Sequence, residues 1–70
     1  MQTIDVRGLS CPQPVFLVLE AIKAGKDSTL EVRVDNIAAV ENITRAAASS
    51  GWSVSAAESG EETFLTLAKQ

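Results

Sequence analysis

Apolar residues along this chain switch repeatedly between the alternating spacing of a strand and the spacing of a one-sided helix. Three segments alternate apolar and polar residues, which is typical of strands that bury one face: 3–7, 29–35 and 52–56. A fourth alternating segment, 63–69, follows a turn predicted at Ser59-Gly60-Glu61. In this last strand we expect Leu65 and Leu67 to face the core, which leaves Phe64 exposed on the far face. The spacing predicts four short strands.

Two segments between these strands carry apolar residues at helical spacing. The first helix is predicted from Pro12 to about Ala24, with Gly25 as the left-handed residue after it. The second is predicted from Ile37 to about Ser50, with Asn36 as its N-cap and Gly51 after its end. The residues expected to face the core are Val15, Val18, Leu19 and Ile22 in the first helix and Ile37, Val40, Ile43 and Ala47 in the second.

This order predicts an α/β (α+β) two-layer sandwich with βαβαββ topology. A four-stranded mixed sheet would be covered on one face by both helices, because each helix has one apolar side. The first crossover makes the first two strands parallel, so both helices begin at the same carboxyl edge of the sheet. That edge is the candidate site. Residues 1–70 are expected to form a single domain.

Composition removes several classes of function. The net charge is −3, and the six basic residues are scattered, which argues against autonomous nucleic-acid binding. There is no histidine and only one cysteine, so a Cys–His dyad, an internal disulfide and a C-x-x-C motif are all excluded. We expect no metal, no cofactor and no membrane segment. The single cysteine and the lack of a signal-like start at residues 1–5 favour a reducing cytoplasm.

The cysteine, Cys11, stands in the segment Gly8-Leu9-Ser10-Cys11-Pro12-Gln13-Pro14, where the first helix is predicted to begin. With Cys11 as N-cap, Pro12 takes the first helical position and Pro14 the third, so that Gln13 alone of the three keeps a backbone N–H. That N–H and the helix dipole would stabilise a thiolate, and we expect the pKa of Cys11 to lie below that of a free cysteine. The alternative is an unreactive cysteine buried in the core.

Two further charged residues are candidates for accessory roles. Asp35 precedes the second helix, where it could serve as a simple cap or as a carboxylate that exchanges a proton with the thiol. Arg7 could fold over the cysteine loop and stabilise an anion, or it could remain a solvated charge at the edge of the sheet.

Asp5-x-x-Gly8-x-x-Cys11-Pro12-x-Pro14, together with the order of elements, resembles the TusA-like (SirA-like) family of small sulfur carriers. The segment Val34-Asp35-Asn36 with Ala38-Ala39-Val40-Glu41-Asn42 is most similar to the N-terminal domain of the YedF group, which is associated with selenium metabolism and often carries a DsrE-like domain. The chain differs from the carriers of tRNA thiolation at Gln13 and Leu19, where those proteins have an acidic and a basic residue.

The resemblance implies that Cys11 accepts sulfur as a persulfide. The donor would be a cysteine desulfurase or a rhodanese-type protein, and the acceptor another protein, possibly a DsrE-like domain. The chemistry on a final substrate would belong to those partners. A regulatory or protein-interaction domain, in which Cys11 is redox-sensitive or incidental, is the alternative hypothesis.

Overall fold

The computed structural model describes residues 2–10 and 12–70. Four strands and two helices alternate in the predicted order: β1 (Gln2–Asp5), α1 (Gln13–Ala24), β2 (Thr29–Val34), α2 (Ile37–Ser49), β3 (Trp52–Ser59) and β4 (Glu62–Lys69). β3 and β4 form a hairpin in which Ser59 pairs with Glu62 across Gly60 and Glu61. Gly25 ends α1 with a φ of 64°, the left-handed conformation that glycine adopts without steric cost.

The sheet has the strand order β1-β2-β4-β3. β1 and β2 are parallel, with Ile4 opposite Val32, whereas β4 is antiparallel to both β2 and β3. Because β1 and β2 run in the same direction, the connections into α1 and α2 leave the same edge of the sheet. The predicted fold class and topology are confirmed.

The core lies between the helices and one face of the sheet. Its strand residues alternate along the chain as predicted, since Leu30, Val32 and Val34 of β2 are fully buried, and so are Leu65 and Leu67 of β4. The remaining buried apolar residues are Val6, Val18, Ala39, Ile43, Ala47 and Trp52. In α1, Val15 and Ile22 pack against this cluster, whereas Leu19 is half-buried. The core is thus formed by one apolar face of the sheet and one apolar side of each helix.

The N-terminus of α2 confirms one expectation and overturns another. Asn36 is the N-cap, and its side-chain oxygen accepts a hydrogen bond of 2.7 Å from the Ala39 N–H. The prediction that Ile37 faces the core is wrong, because Ile37 is 75% exposed. The buried stripe runs through Ala39, Ile43 and Ala47, and Ile37 lies about 120° from its centre at about 100° per residue.

The other face of the sheet carries a charged and aromatic cluster. Phe64, expected to be exposed on this face, is half-buried, because the Arg33 guanidinium lies 5.3 Å from the centre of its ring. Arg33 and Phe64 are directly opposite each other in the register of β2 and β4. Arg33 also donates to Glu62 at 2.8 Å, so the cation is fixed by a carboxylate and by the ring.

Candidate functional site

The connection from β1 to α1 turns sharply after the first strand. The Val6 N–H continues the parallel ladder by donating to the Arg33 carbonyl at 3.0 Å, and the Leu9 N–H returns to the Val6 carbonyl at 3.3 Å. Gly8 lies between them with a φ of 76°, a conformation that a side chain would strain. Leu9 packs against the core and anchors the turn.

The helix begins one residue later than predicted. Pro12, not Cys11, is the N-cap, with a φ of −100°, and the Pro12 carbonyl accepts the N–H of Phe16 at 3.2 Å. The Gln13 N–H donates to the Ser10 carbonyl at 3.0 Å. The Gln13 amide, which we expected to stabilise a thiolate at Cys11, therefore closes a tight turn ahead of the helix.

The two prolines occupy different environments. Pro14 is fully buried, and Pro12 is exposed. Pro14 therefore fixes the first turn of α1 to the core, while Pro12 holds the surface end of the connection at a restricted φ. Cys11 itself lies outside the described residues. Its neighbours Ser10 and Pro12 are both exposed, so the connection lies at the protein surface on either side of the cysteine.

Asp35 joins the two connections at this edge of the sheet. Its Oδ2 atom accepts a hydrogen bond of 3.0 Å from the Gly8 N–H, and its Oδ1 lies 3.3 Å from the Asn36 side-chain amide. The capping role in α2 belongs to Asn36 rather than to Asp35. Asp35 thus holds the segment before α1 against the end of β2.

Arg7 is directed toward the neighbouring carboxylates. Its guanidinium donates to Asp5 at 2.7 and 2.9 Å and to Glu62 at 3.3 Å. The hydrogen bonds from Arg7 hold the pKa of Asp5 far below its ordinary value. The bonds to Asp5 and, to a lesser extent, Glu62 raise the pKa of Arg7 above its ordinary value. Its charge is compensated by two carboxylates, so Arg7 has the character of a paired surface charge.

An open cleft lies between the start of α1 and the surface of α2. It is about 350 Å³ in volume and is lined by Pro12, Val15, Asn42, Arg45, Ala46 and Ser49. Arg45 donates to the Asn42 side-chain oxygen at 3.2 Å, one helical turn away. Asn42 and Arg45 were not among the predicted site residues. The signal that could have found them is the polar pair Asn42-x-x-Arg45 beside the apolar stripe of α2.

The structure therefore separates the candidate residues into two places. Arg7 and Asp35 lie together in a concave surface that also includes Gly8, at the carboxyl edge of the sheet. Pro12 lines the cleft between the helices. Within residues 2–10 and 12–70, three or more metal-binding side chains do not come together at any point. No helix in the same residues has the length and hydropathy needed to cross a bilayer.

Comparison with known proteins supports the assignment of these features to one family. The family model described as sulfurtransferase TusA matches residues 2–69. A protein of Methanocaldococcus jannaschii named "Putative sulfur carrier protein MJ0990" is 37% identical over 71 residues, covering 100% of this chain and 95% of that protein.

A solved structure shares the fold as well. The crystal structure of the SirA-like protein DSY4693 from Desulfitobacterium hafniense superposes with a TM-score of 0.88 at 25% identity. The match covers 97% of this chain and 96% of that one. The βαβαββ sandwich, the cysteine–proline segment at the start of α1 and these matches agree. The chain belongs to the TusA (SirA-like) sulfurtransferase family.

Proposed function

We propose that this protein is a sulfur carrier in which Cys11 accepts a sulfur atom as a persulfide and passes it to an acceptor protein. The observation that carries the proposal is the match of the TusA sulfurtransferase model to residues 2–69, which include the Cys11-Pro12-Gln13-Pro14 segment. The likeness to the M. jannaschii protein, whose name includes the words sulfur carrier, supports the same function.

The transfer needs one nucleophilic sulfur on each protein. The Cys11 thiolate attacks the outer sulfur of a persulfide on the donor, and the bond between the two donor sulfurs breaks. The electron pair of that bond leaves with the donor as a thiolate, and Cys11 now carries the persulfide. The number of disulfide-type bonds and the total charge are unchanged, so the step requires no oxidant or reductant. Delivery follows the same chemistry: an acceptor thiolate attacks the outer sulfur of the Cys11 persulfide, and Cys11 leaves as a thiolate.

The architecture of the connection is suited to this exchange. A small domain that hands sulfur from one protein to another has to present its cysteine at the surface, and the residues on both sides of Cys11 are exposed. Pro12 and buried Pro14 restrict the backbone that carries the cysteine. A restricted, exposed segment lowers the entropy cost of fitting into the site of a partner protein.

Donor and acceptor are part of the proposal. A cysteine desulfurase or a rhodanese-type protein would supply the sulfur, and a protein such as one with a DsrE-like domain would receive it. We further propose that residues 1–70 act as one domain in the cytoplasm. Sulfur loading by a purified donor tests the function directly.

The experiment measures intact mass after incubation with a cysteine desulfurase and cysteine, or with a rhodanese and thiosulfate. The expected result is the gain of one sulfur atom, which a reducing agent removes, and no gain in Cys11→Ala. Ser10→Ala is the matched control, because it changes a neighbouring exposed side chain and keeps the thiol. A native protein that gains no sulfur from either donor, or a Cys11→Ala variant that gains as much, contradicts the proposal. Retained binding to a partner protein by Cys11→Ala, without any loading of the native protein, supports an interaction domain instead.

A further inference from the structure

β3 is an edge strand with an open outer side. In the sheet order β1-β2-β4-β3, β4 is its only strand neighbour among the described residues. The Gln70 N–H donates to the Gly51 carbonyl and continues the β3–β4 ladder, whereas the Lys69 N–H points away from β3, to the Ser28 carbonyl. Because hydrogen-bonded and non-hydrogen-bonded pairs alternate along antiparallel strands, the N–H and C=O groups of every second residue of β3 point outward: Trp52, Val54, Ala56 and Glu58.

The features that usually protect an edge strand from further pairing are missing from β3. Its residues, Trp52–Ser59, include no proline, no lysine and no arginine, and the register against β4 runs without a bulge. Glu58, near the end of the strand, is its only charged residue. At the opposite edge of the sheet, β1 is only four residues long. The backbone of β3 is therefore free to accept another strand along most of its length.

The side of α2 above this edge is apolar and exposed. α2 packs against α1 on one side and lies over β3 and β4. At about 100° per residue, the residues that line the cleft toward α1 and the residues Ile37, Val40 and Thr44 fall on opposite sides of the buried Ile43. Ile37, Val40 and Thr44, the outer flank of α2, therefore overhang the β3 edge. Ile37 is 75% exposed, so the open edge continues into an apolar strip on the helix.

We propose that β3 pairs antiparallel with β3 of a second copy of this chain. A two-fold axis at Ser55 gives the longest overlap that keeps the outward residues opposite each other, with Trp52 of one copy facing Glu58 of the other and Val54 facing Ala56. In this register Glu58 does not meet its own counterpart, and the residue that does, Ser55, is uncharged. The edge is thus complementary to itself. The inference uses no residue of the cysteine segment and does not depend on the carrier function.

The same axis brings the outer flanks of the two α2 helices together. Pairing of antiparallel edges about an axis perpendicular to the sheet keeps the helices of both copies on one face. Neighbouring strands are about 4.8 Å apart, so helices that lie over β3 and β4 come within about 10 Å of each other across the axis, which is the usual spacing of packed helices. The second copy therefore covers both the open backbone and the flank that carries Ile37.

Sedimentation equilibrium of the full chain measures the association. We expect the native protein to dimerise with a dissociation constant below about 1 mM. Ser55→Lys and Ser55→Glu each place like charges at the axis, in a pair whose Cα atoms are about 4.5 Å apart, and each should raise that constant at least about tenfold. Mixed in equal amounts, the two variants should form a dimer with one chain of each kind, which native mass spectrometry identifies. Ser55 is exposed, so both variants should fold, and circular dichroism checks that they do.

Two control variants make the result specific. Thr66→Lys adds the same charge on the same face of the sheet, but on β4, where Thr66 pairs with Ser55. The two copies of residue 66 lie about 14 Å apart across the axis, so salt at about 0.1 M screens them and the association should not change. Ile37→Lys should weaken the dimer, whereas Phe16→Lys, at an exposed apolar residue of α1, should leave it intact.

Three results would overturn the proposal. A native protein that stays monomeric at about 1 mM leaves the edge to a strand of another protein. A dimer that the Ser55 variants leave intact, or that Thr66→Lys weakens as much, has its interface elsewhere. Ser55 variants that stay monomeric when mixed contradict the two-fold axis at this residue. Sulfur loading enters none of these measurements, so the carrier function and the pairing of β3 are decided separately.

Discussion

The Asp35 carboxylate accepts a hydrogen bond of 3.0 Å from the Gly8 N–H, which joins the end of β2 to the segment that leads into α1. For the described residues of this stretch, the backbone hydrogen bonds are local, from Leu9 to Val6, from Gln13 to Ser10 and from Phe16 to Pro12. Because β1 and β2 are parallel neighbours, both connections leave the same edge, and one short side chain can span them.

Loss of this bond should loosen the cysteine segment more than it destabilises the fold. In Asp35→Ala we expect slower sulfur loading, with a free energy of unfolding lowered by about 1–2 kcal/mol, since a hydrogen bond to a charged acceptor is lost at an exposed site. Asp35→Asn keeps an acceptor and should load nearly as fast as the native protein. Loading rates by mass spectrometry, with urea unfolding in parallel, measure both effects.

Ile43→Val is the matched control for stability. It removes one methyl group from the core, at a cost of about 0.5–1.5 kcal/mol, and does not touch Asp35 or Gly8. If Ile43→Val loads as slowly as Asp35→Ala, the effect of Asp35 is one of stability alone, and its role in holding the segment is wrong.

The cap of α2 should make a measurable contribution to stability. Asn36→Ala removes the acceptor for the Ala39 N–H and should lower the free energy of unfolding by about 1 kcal/mol. Asn36→Asp and Asn36→Ser keep an acceptor and should lose less. The urea midpoints of variants that share one m-value provide the measurement. An alanine variant as stable as the serine variant would show that the cap bond contributes nothing to stability.

The two isoleucines of α2 should respond very differently to truncation. Ile43 is fully buried, and Ile43→Ala should cost about 2–5 kcal/mol, close to the whole stability of about 3–5 kcal/mol expected for so small a domain. Ile37 is 75% exposed, so Ile37→Ala should change stability by less than about 0.5 kcal/mol. Circular dichroism and thermal unfolding distinguish them, and equal losses would contradict the observed phase of the helix.

The pairing of Asp5 with Arg7 predicts the direction of an acid effect. The pair lowers the pKa of Asp5 in the folded state from an ordinary value of 3.8. The pair therefore stabilises the folded protein fully above pH 3.8, and this stabilisation is lost as the pH falls through the pKa that Asp5 has in the folded state. Because both side chains are well exposed, solvent screens the pair and the effect should be small.

Asp5→Asn should therefore show a shallower loss of stability below about pH 4 than the native protein. Asp27→Asn is the matched control, because no ion pair of Asp27 is found among the described residues. Urea unfolding at several pH values makes the comparison. A native protein whose acid sensitivity equals that of Asp5→Asn would mean that the pair does not persist in solution.

The candidate site was only partly predictable from sequence. The Cys11-Pro12-Gln13-Pro14 segment and the cap at Asn36 are local patterns, and both stand where a helix was predicted to begin. The exact first residue of α1 was not predictable, because a turn closed by the Ser10 carbonyl competes with one more residue of helix. The partners of Arg7 and Asp35 depend on β4 and on the segment before α1, which no local pattern indicates.

The position of Arg45 was likewise not predictable from the sequence. In sequence it is one of several scattered cations, and its spacing from Asn42 does not show which surface of the protein it reaches. Only the packing of α1 against α2 brings it to the cleft that Pro12 lines. Ile37 was predicted to be buried because it fits a helical spacing, and the actual phase was set by the stripe of Ala39, Ile43 and Ala47 that meets the sheet.

The sequence by itself determined the six elements, their order and the buried face of β2 and β4, because apolar spacing and capping residues act over a few positions. It also determined that one thiol stands ahead of a helix. The tertiary structure decided how the charges at this edge of the sheet are paired, because these contacts join residues far apart in the chain. Glu62 draws Arg7 and Arg33 toward β4, Asp35 holds Gly8, and the packing of the helices places Arg45 and Pro12 in one cleft.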